Sequence, residues 1–243
     1  MKNLGNRKKS GFTLMETVIA IGVLAVMLTA FMGVFGPATR GIRRSINVQE
    51  ADRLTSALEK ELATNRPLNG SANEDVTAFH KAYKWILESH GNDTIVFSYQ
   101  YRGNPKKLRV DGTMEPYADK NGQAGKDFVV QPMFRRRSDA RLATDLRSVE
   151  GRVFFVKMTQ LVFDGANGLK LGQPGVIVSP PPAPGSIPPA GVGADGYSEA
   201  VIPMTAEFYE IQTTDPNFLS SSGKFVVANY KKPMFARNIA VRR

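Results

Sequence analysis

The sequence predicts an α+β protein in which a long N-terminal helix, apolar in its first half, precedes a head built on an antiparallel β-sheet. Three observations predict this. Residues 12–36 form a run of 25 with a single charge. Residues 40–65 continue with apolar side chains at every fourth position, on one helical face. After Asn92 the pattern changes to short β-branched and aromatic segments bounded by Gly, Asn and Asp. The chain has 243 residues, 42% apolar and 22% charged, which excludes wholesale disorder. It has no cysteine, so disulfides, a thiol nucleophile and Cys-ligated metal sites are excluded. Two histidines, His80 and His90, leave little material for a histidine-built metal site. The formal net charge of +10 permits acidic partners.

Residues 1–11 carry Lys2, Arg7, Lys8 and Lys9 and no acid. The apolar run that follows, FTLMETVIAIGVLAVMLTAFMGVFG, would make a helix about 37 Å long, enough to cross a bilayer core of roughly 30 Å. A core helix of a soluble protein seldom stays apolar around its whole circumference for that distance. A secretory signal is the other reading of a basic start. However, its apolar region is shorter, and the small-x-small site at Gly36-Pro37-Ala38 places a proline beside the cut.

The one charge in the run is Glu16. A carboxylate in hydrocarbon is costly and calls for a partner. No basic residue lies between Phe12 and Thr39. Cleavage between Gly11 and Phe12 would create a cationic amine at Phe12, about one helical turn from Glu16.

These residues carry a resemblance. KKSGFTLMETVIA resembles the leader-and-helix signal of type IV pilins and type II secretion pseudopilins, with Lys8-Lys9, Gly11, Phe12, Thr13, Leu14 and Glu16 all in place. The similarity covers roughly residues 7–36, and the rest of the chain resembles no family. The resemblance implies a pilin-like fold and a prepilin peptidase that cuts after Gly11. It also implies N-methylation of Phe12, and a Glu16 that neutralises the Phe12 amine of a neighbouring subunit. The implied partners are that peptidase, other pilin or pseudopilin subunits, an inner-membrane assembly platform and the lipid bilayer. The leader would face the cytoplasm and the head would be extracytoplasmic. No enzymatic activity and no cofactor are implied. The flanking Arg40, Arg43 and Arg44 leave charge alone a weak guide to orientation.

The expected organisation is a leader at 1–11, a transmembrane helix at 12–36, an amphipathic extension at 37–66 and a head at 67–243. Gly33, Gly36 and Pro37 either kink the helix or end it. In the extension, Ile42, Ile46, Leu54, Leu58 and Leu62 share a face, and Arg66-Pro67 stops it. A second helix is expected over 71–90. It would be capped by Ser71 and Glu74, with Val76, Phe79, Tyr83, Ile86 and Leu87 inward. Strands are expected at 94–101, 107–110, 128–134, 152–163, 175–178, 201–211, 224–230 and 233–241. Residues 174–193 hold seven of the fifteen prolines and read as an exposed, partly polyproline loop. A solvated insertion explains that loop more simply than a docking site.

Chemistry-bearing motifs are few. Gly191, Gly193 and Gly196 have dinucleotide-fingerprint spacing but follow a proline-rich loop rather than a strand. Asp164, Asn167, Asp215 and Asn217 sit in segments that read as turns, so no metal is assigned. The densest basic patch is Arg135, Arg136 and Arg137, with Arg141 and Arg147 nearby. It is the candidate nucleic-acid contact and makes DNA a possible partner, the chain then being a DNA- or surface-binding minor pilin. The competing reading is a solvated face, or a patch salt-bridged to Asp139, Asp145 and Glu150. Both gain weight because losing four leader cations leaves 28 basic against 22 acidic residues, a net +6. A membrane-tethered enzyme is the remaining alternative. It would require a deep pocket with converging polar groups.

Overall fold

The computed structural model describes residues 12–64, 77–165, 168–181, 191–220 and 224–243. Gly11 and the rest of the leader, the helix stop at Arg66-Pro67, the Ser71/Glu74 cap and Val76 lie outside the described residues. So do Asn167 and the middle of the proline-rich stretch. The chain divides into two compact units, Met1–Ala51 and Asp52–Arg243.

Helix α1 spans Leu14–Ala63. Within the first unit, its segment Leu14–Phe35 is 22 residues long and apolar enough to cross a membrane. Three threonine hydroxyls bond back to the helix backbone. Thr17 donates to the Leu14 carbonyl at 2.9 Å, Thr29 to Ala25 at 2.8 Å and Thr39 to Phe35 at 3.0 Å. Gly36-Pro37 does not end the helix, which continues to Ala63. Pro37 has no N–H to give the Gly33 carbonyl, so one bond is forfeited while the turns on either side persist.

The second unit is a seven-stranded, wholly antiparallel sheet with helices on it. Its strands are β1 Val96–Leu108, β2 Met114–Pro116, β3 Val129–Arg136, β4 Val149–Phe163, β5 Leu169–Leu171, β6 Val201–Ile211 and β7 Phe235–Arg242. The main path runs β2-β1-β4-β6-β7, with β3 on β1 and β5 on β4. Gly103 faces both Pro116 and Val129, so β2 and β3 flank opposite edges of β1. A Cβ at Gly103 would lie 2.7 Å from that of Met114, which only glycine avoids. The β1–β4 register slips between Ser98 and Gln100, and Gly151 supplies the positive φ of +75° in β4 at that irregularity. The β4–β6 ladder stops at Gln160–Met204, one residue before Pro203, which has no N–H to continue it.

Both faces of the sheet are buried. On one face, Leu54, Leu58 and Leu62 of α1 and Phe79, Ala82, Trp85 and Ile86 of α2 (Ala78–Glu88) pack on Phe154, Val156, Met204 and Phe208. On the other, α3 (Leu142–Leu146) and α4 (Pro216–Ser220) contribute Leu142, Leu146 and Leu219 over Phe97, Tyr99, Phe155 and Tyr209. Adjacent aromatics Phe154 and Phe155 thus serve opposite cores, as period-two side chains must. The arrangement is the expected α+β one and is consistent with a pilin-like fold.

Several elements differ from expectation. The segments 94–101 and 107–110 fall within or beside one strand, β1, whose break is a bulge at Pro105–Lys107 rather than a turn. Segment 175–178 is not a strand, because Val178 exchanges both backbone bonds with the Gln160 side-chain amide, at 2.7 and 2.8 Å. Segment 224–230 is not a strand either. It forms a 3-10 turn at Val227–Asn229 and plugs the second core, with Phe225 against Phe97 and Phe155 at ring distances of 5.4 and 5.3 Å. Asp215 starts α4 by accepting from the Asn217 N–H at 2.9 Å.

Phe155→Ala should lower unfolding free energy by about 3–5 kcal/mol, whereas Phe163→Ala, at a site 72% exposed, should stay within about 0.5 kcal/mol. Denaturant titration followed by the single tryptophan, Trp85, measures both.

Candidate functional site

The start of α1 is closed by a reciprocal arrangement. The Thr13 N–H and hydroxyl each donate to Glu16 Oε2 at 2.9 Å, and the Glu16 N–H lies 3.3 Å from Thr13 Oγ1. This is a capping box, written in the sequence as Thr13-x-x-Glu16. Glu16 therefore does two things within its own chain. It accepts hydrogen bonds that would otherwise be missing at the helix start, and it adds negative charge to the positive end of the helix dipole. Phe12 stands just before the helix and is 88% exposed. Gly11 lies outside the described residues.

The arginine patch takes a different place from that of a nucleic-acid contact. Arg135, Arg136 and Arg137 are all buried. Arg135 Nε donates to Asp145 Oδ2 at 2.6 Å, and its Nη1 lies 3.1 Å from Asp139 and 3.4 Å from Asp111. Arg136 pairs with Glu88 at 2.8 Å. Arg137 donates to the carbonyls of Asn92 and Phe225 at 2.9 and 3.2 Å. Guanidinium groups held inward in this way are not presented to phosphates. The salt-bridged reading holds for Asp139 and Asp145, while Glu150 pairs instead with Arg102 at 3.1 Å.

The cluster is balanced, with Arg109, Arg135 and Arg141 against Asp111, Asp139 and Asp145. Asp145 is fully buried and receives Arg109 at 2.8 Å and the Tyr99 hydroxyl at 2.8 Å besides Arg135. Arg141 pairs with Asp139 at 2.9 Å and with Asp111. Burial pushes the Asp111 and Asp139 carboxyls up. Hydrogen bonds from Thr113 to Asp111 and from Arg141 to Asp139, with the Arg135 charge, outweigh this and hold both below the usual carboxylate range. Burial, then the Asp145 charge, pushes the Tyr99 phenol well up, so it remains a donor. The cavity bordered by Arg135, Asp139 and Arg141 holds only about 30 Å³, while a wider one of about 410 Å³ opens beside Asp111 and Thr113. Among the described residues, no three His, Asp or Glu side chains are disposed to hold a metal ion.

Other polar residues are structural. Lys81, buried in α2, donates to the Glu61 carbonyl at 2.9 Å and to the Thr64 carbonyl, satisfying the end of α1. Its ammonium also lies 3.2 Å from Glu61 Oε1. Burial lowers the His90 pKa, and its Nε2 donates to the Met158 carbonyl at 3.0 Å. His80 bridges Thr77 and Asp195. Gly191 and Gly196 pack on each other inside a turn, where a Cβ on Gly196 would sit 2.4 Å from the Gly191 oxygen. Sequence reasoning missed Lys81 and Arg109. The signal for the cluster was present, since three consecutive arginines cannot all face outward from one strand and acids follow at Asp139 and Asp145.

Residues 6–32 match the family model described as the prokaryotic N-terminal methylation motif. No curated protein and no solved structure matches the chain. The match identifies a type IV pilin-like prepilin signal at the N-terminus. With the apolar helix that follows it, the signal indicates membrane anchoring.

Asp145→Asn leaves Arg135 and Arg109 without their shared counter-charge and should cost about 3–5 kcal/mol in denaturant titration. Arg152→Ala, whose 3.4 Å pair with Glu210 is partly solvated, should cost no more than about 1 kcal/mol. The depressed Asp111 and Asp139 pKa values set the acid response. Their stabilisation is complete above the unfolded carboxyl value, about 3.9, and is lost as pH falls through the lower folded values. Thermal melts should show a steep loss of stability below that pH, diminished in Asp111→Asn.

Proposed function

We propose that the chain is a structural subunit of a type IV pilus or type II secretion pseudopilus, one of the minor components given its bulky head. A prepilin peptidase cleaves after Gly11 and Phe12 is N-methylated. Glu16 of one subunit neutralises the Phe12 amine of the next as their helices pack on the inner-membrane assembly platform. The observation that carries this reading is the prepilin signal set against an apolar run, residues 12–36, whose sole charge is Glu16. A carboxylate and an amine that are each costly in hydrocarbon are tolerable as a pair, and the pair fixes the axial stagger between subunits.

The Thr13–Glu16 box makes the proposal testable in parts, because Gln serves at this position of a capping box but carries no charge. Glu16→Gln should preserve helix start and membrane insertion yet abolish filament incorporation, as fully as Glu16→Ala does. If Glu16→Gln co-assembles normally while Glu16→Ala does not, the residue acts through the cap and the pairing role fails. Gly11→Val should accumulate uncleaved precursor, read as a heavier band on a denaturing gel.

A further inference from the structure

The loop that closes the β1–β2 hairpin has an inverted pattern. Arg109 and Asp111 point inward, their side chains 14% and 3% exposed, while the apolar residues between and beside them point out. Leu108 is 65% exposed and Val110 fully so. The inversion is enforced by the buried cluster. Arg109 reaches Asp145 and Asp111 reaches Arg135 and Arg141, and with those two side chains held inward Leu108 and Val110 are left facing solvent. The loop is also fixed by its own backbone. The Arg109 N–H donates to the Thr113 carbonyl at 2.7 Å, and the Thr113 hydroxyl donates to Asp111 at 2.6 Å. Beside it, the bulge carries Lys106 and Lys107, both exposed, and neither has an ion-pair partner among the described residues.

We propose that this tip docks on an anionic lipid surface, Leu108 and Val110 entering the headgroup boundary and Lys106 and Lys107 meeting lipid phosphates. Apolar side chains beside unpaired lysines are the composition of interfacial membrane contacts. A convex tip of four residues cannot supply the 1,200–2,000 Å² that a stable protein interface buries, whereas a bilayer demands no matching shape. The chain is also tethered to a bilayer by its own helix, so a weak contact suffices through effective concentration. The ordering cost is already met by the buried cluster.

Because the chain has no cysteine, Val110→Cys gives a single labelling site. The full chain, labelled there with an environment-sensitive fluorophore, is placed in nanodiscs of phosphatidylcholine alone or of phosphatidylcholine and phosphatidylglycerol in equal parts. Insertion of α1 is read separately as co-elution with the disc. The emission should shift to the blue in anionic discs only and revert at high salt. Lys106→Gln and Lys107→Gln should each lower the docked-to-free ratio about fivefold. The same label at exposed Ala236→Cys should not respond. A water-like emission in both discs overturns the proposal, as does a shift of equal size in both or a shift at Ala236 too. A shift that requires an added protein overturns it as well and assigns the tip to a protein partner.

Discussion

An ionised carboxylate at the start of an apolar helix has no comfortable place in hydrocarbon, and the N-terminal unit is organised around that constraint. Thr13 meets part of the demand by donating twice to Glu16. Those bonds close the helix start, but they bring no opposite charge. The chain supplies no cation between Phe12 and Thr39. In the proposed reading, the complement is the amine that cleavage before Phe12 would liberate. The cap formed by Thr13 and Glu16 lies inside the stretch that carries the prepilin signal.

The head solves a different electrostatic problem with the opposite strategy. Three guanidiniums and three carboxylates are withdrawn from water, and each finds its counter-charge within the same cluster. This joins α3, the end of β3 and the β1–β2 loop. Buried ion pairs of this kind add little net stability over apolar packing, but they penalise any misregister heavily. That asymmetry accounts for the fixed hairpin loop and for the outward turn of its apolar residues.

Where periodicity was long and one-sided, the sequence could be read. Leu54, Leu58 and Leu62 form a clean stripe and are buried as a stripe, and Ile202, Met204, Ala206 and Phe208 alternate into the same core along β6. The reading failed where both faces of a strand are covered. In β4, Phe154 and Phe155 belong to different cores, so the pattern does not reveal that a second helical layer exists. Helices α3 and α4, five residues each, are too short to show a period. Phe225 and Tyr230 imitate strand residues because the ring stack they join also favours aromatics. At the helix start, the cap partner of Glu16 was spelled out by Thr13-x-x-Glu16. At Arg135–Arg137 the sequence offered both a basic surface and a patch paired with Asp139 and Asp145, and only the fold decides between them and adds Asp111 and Arg109.

The central claim is that the charge of Glu16 answers an amine made by proteolysis. Intact-mass and fragment analysis of the protein recovered from its native membranes tests it most directly. The account predicts a 232-residue chain beginning at a methylated Phe12. A chain beginning at Met1, or at Thr39 beyond the apolar run, would contradict it.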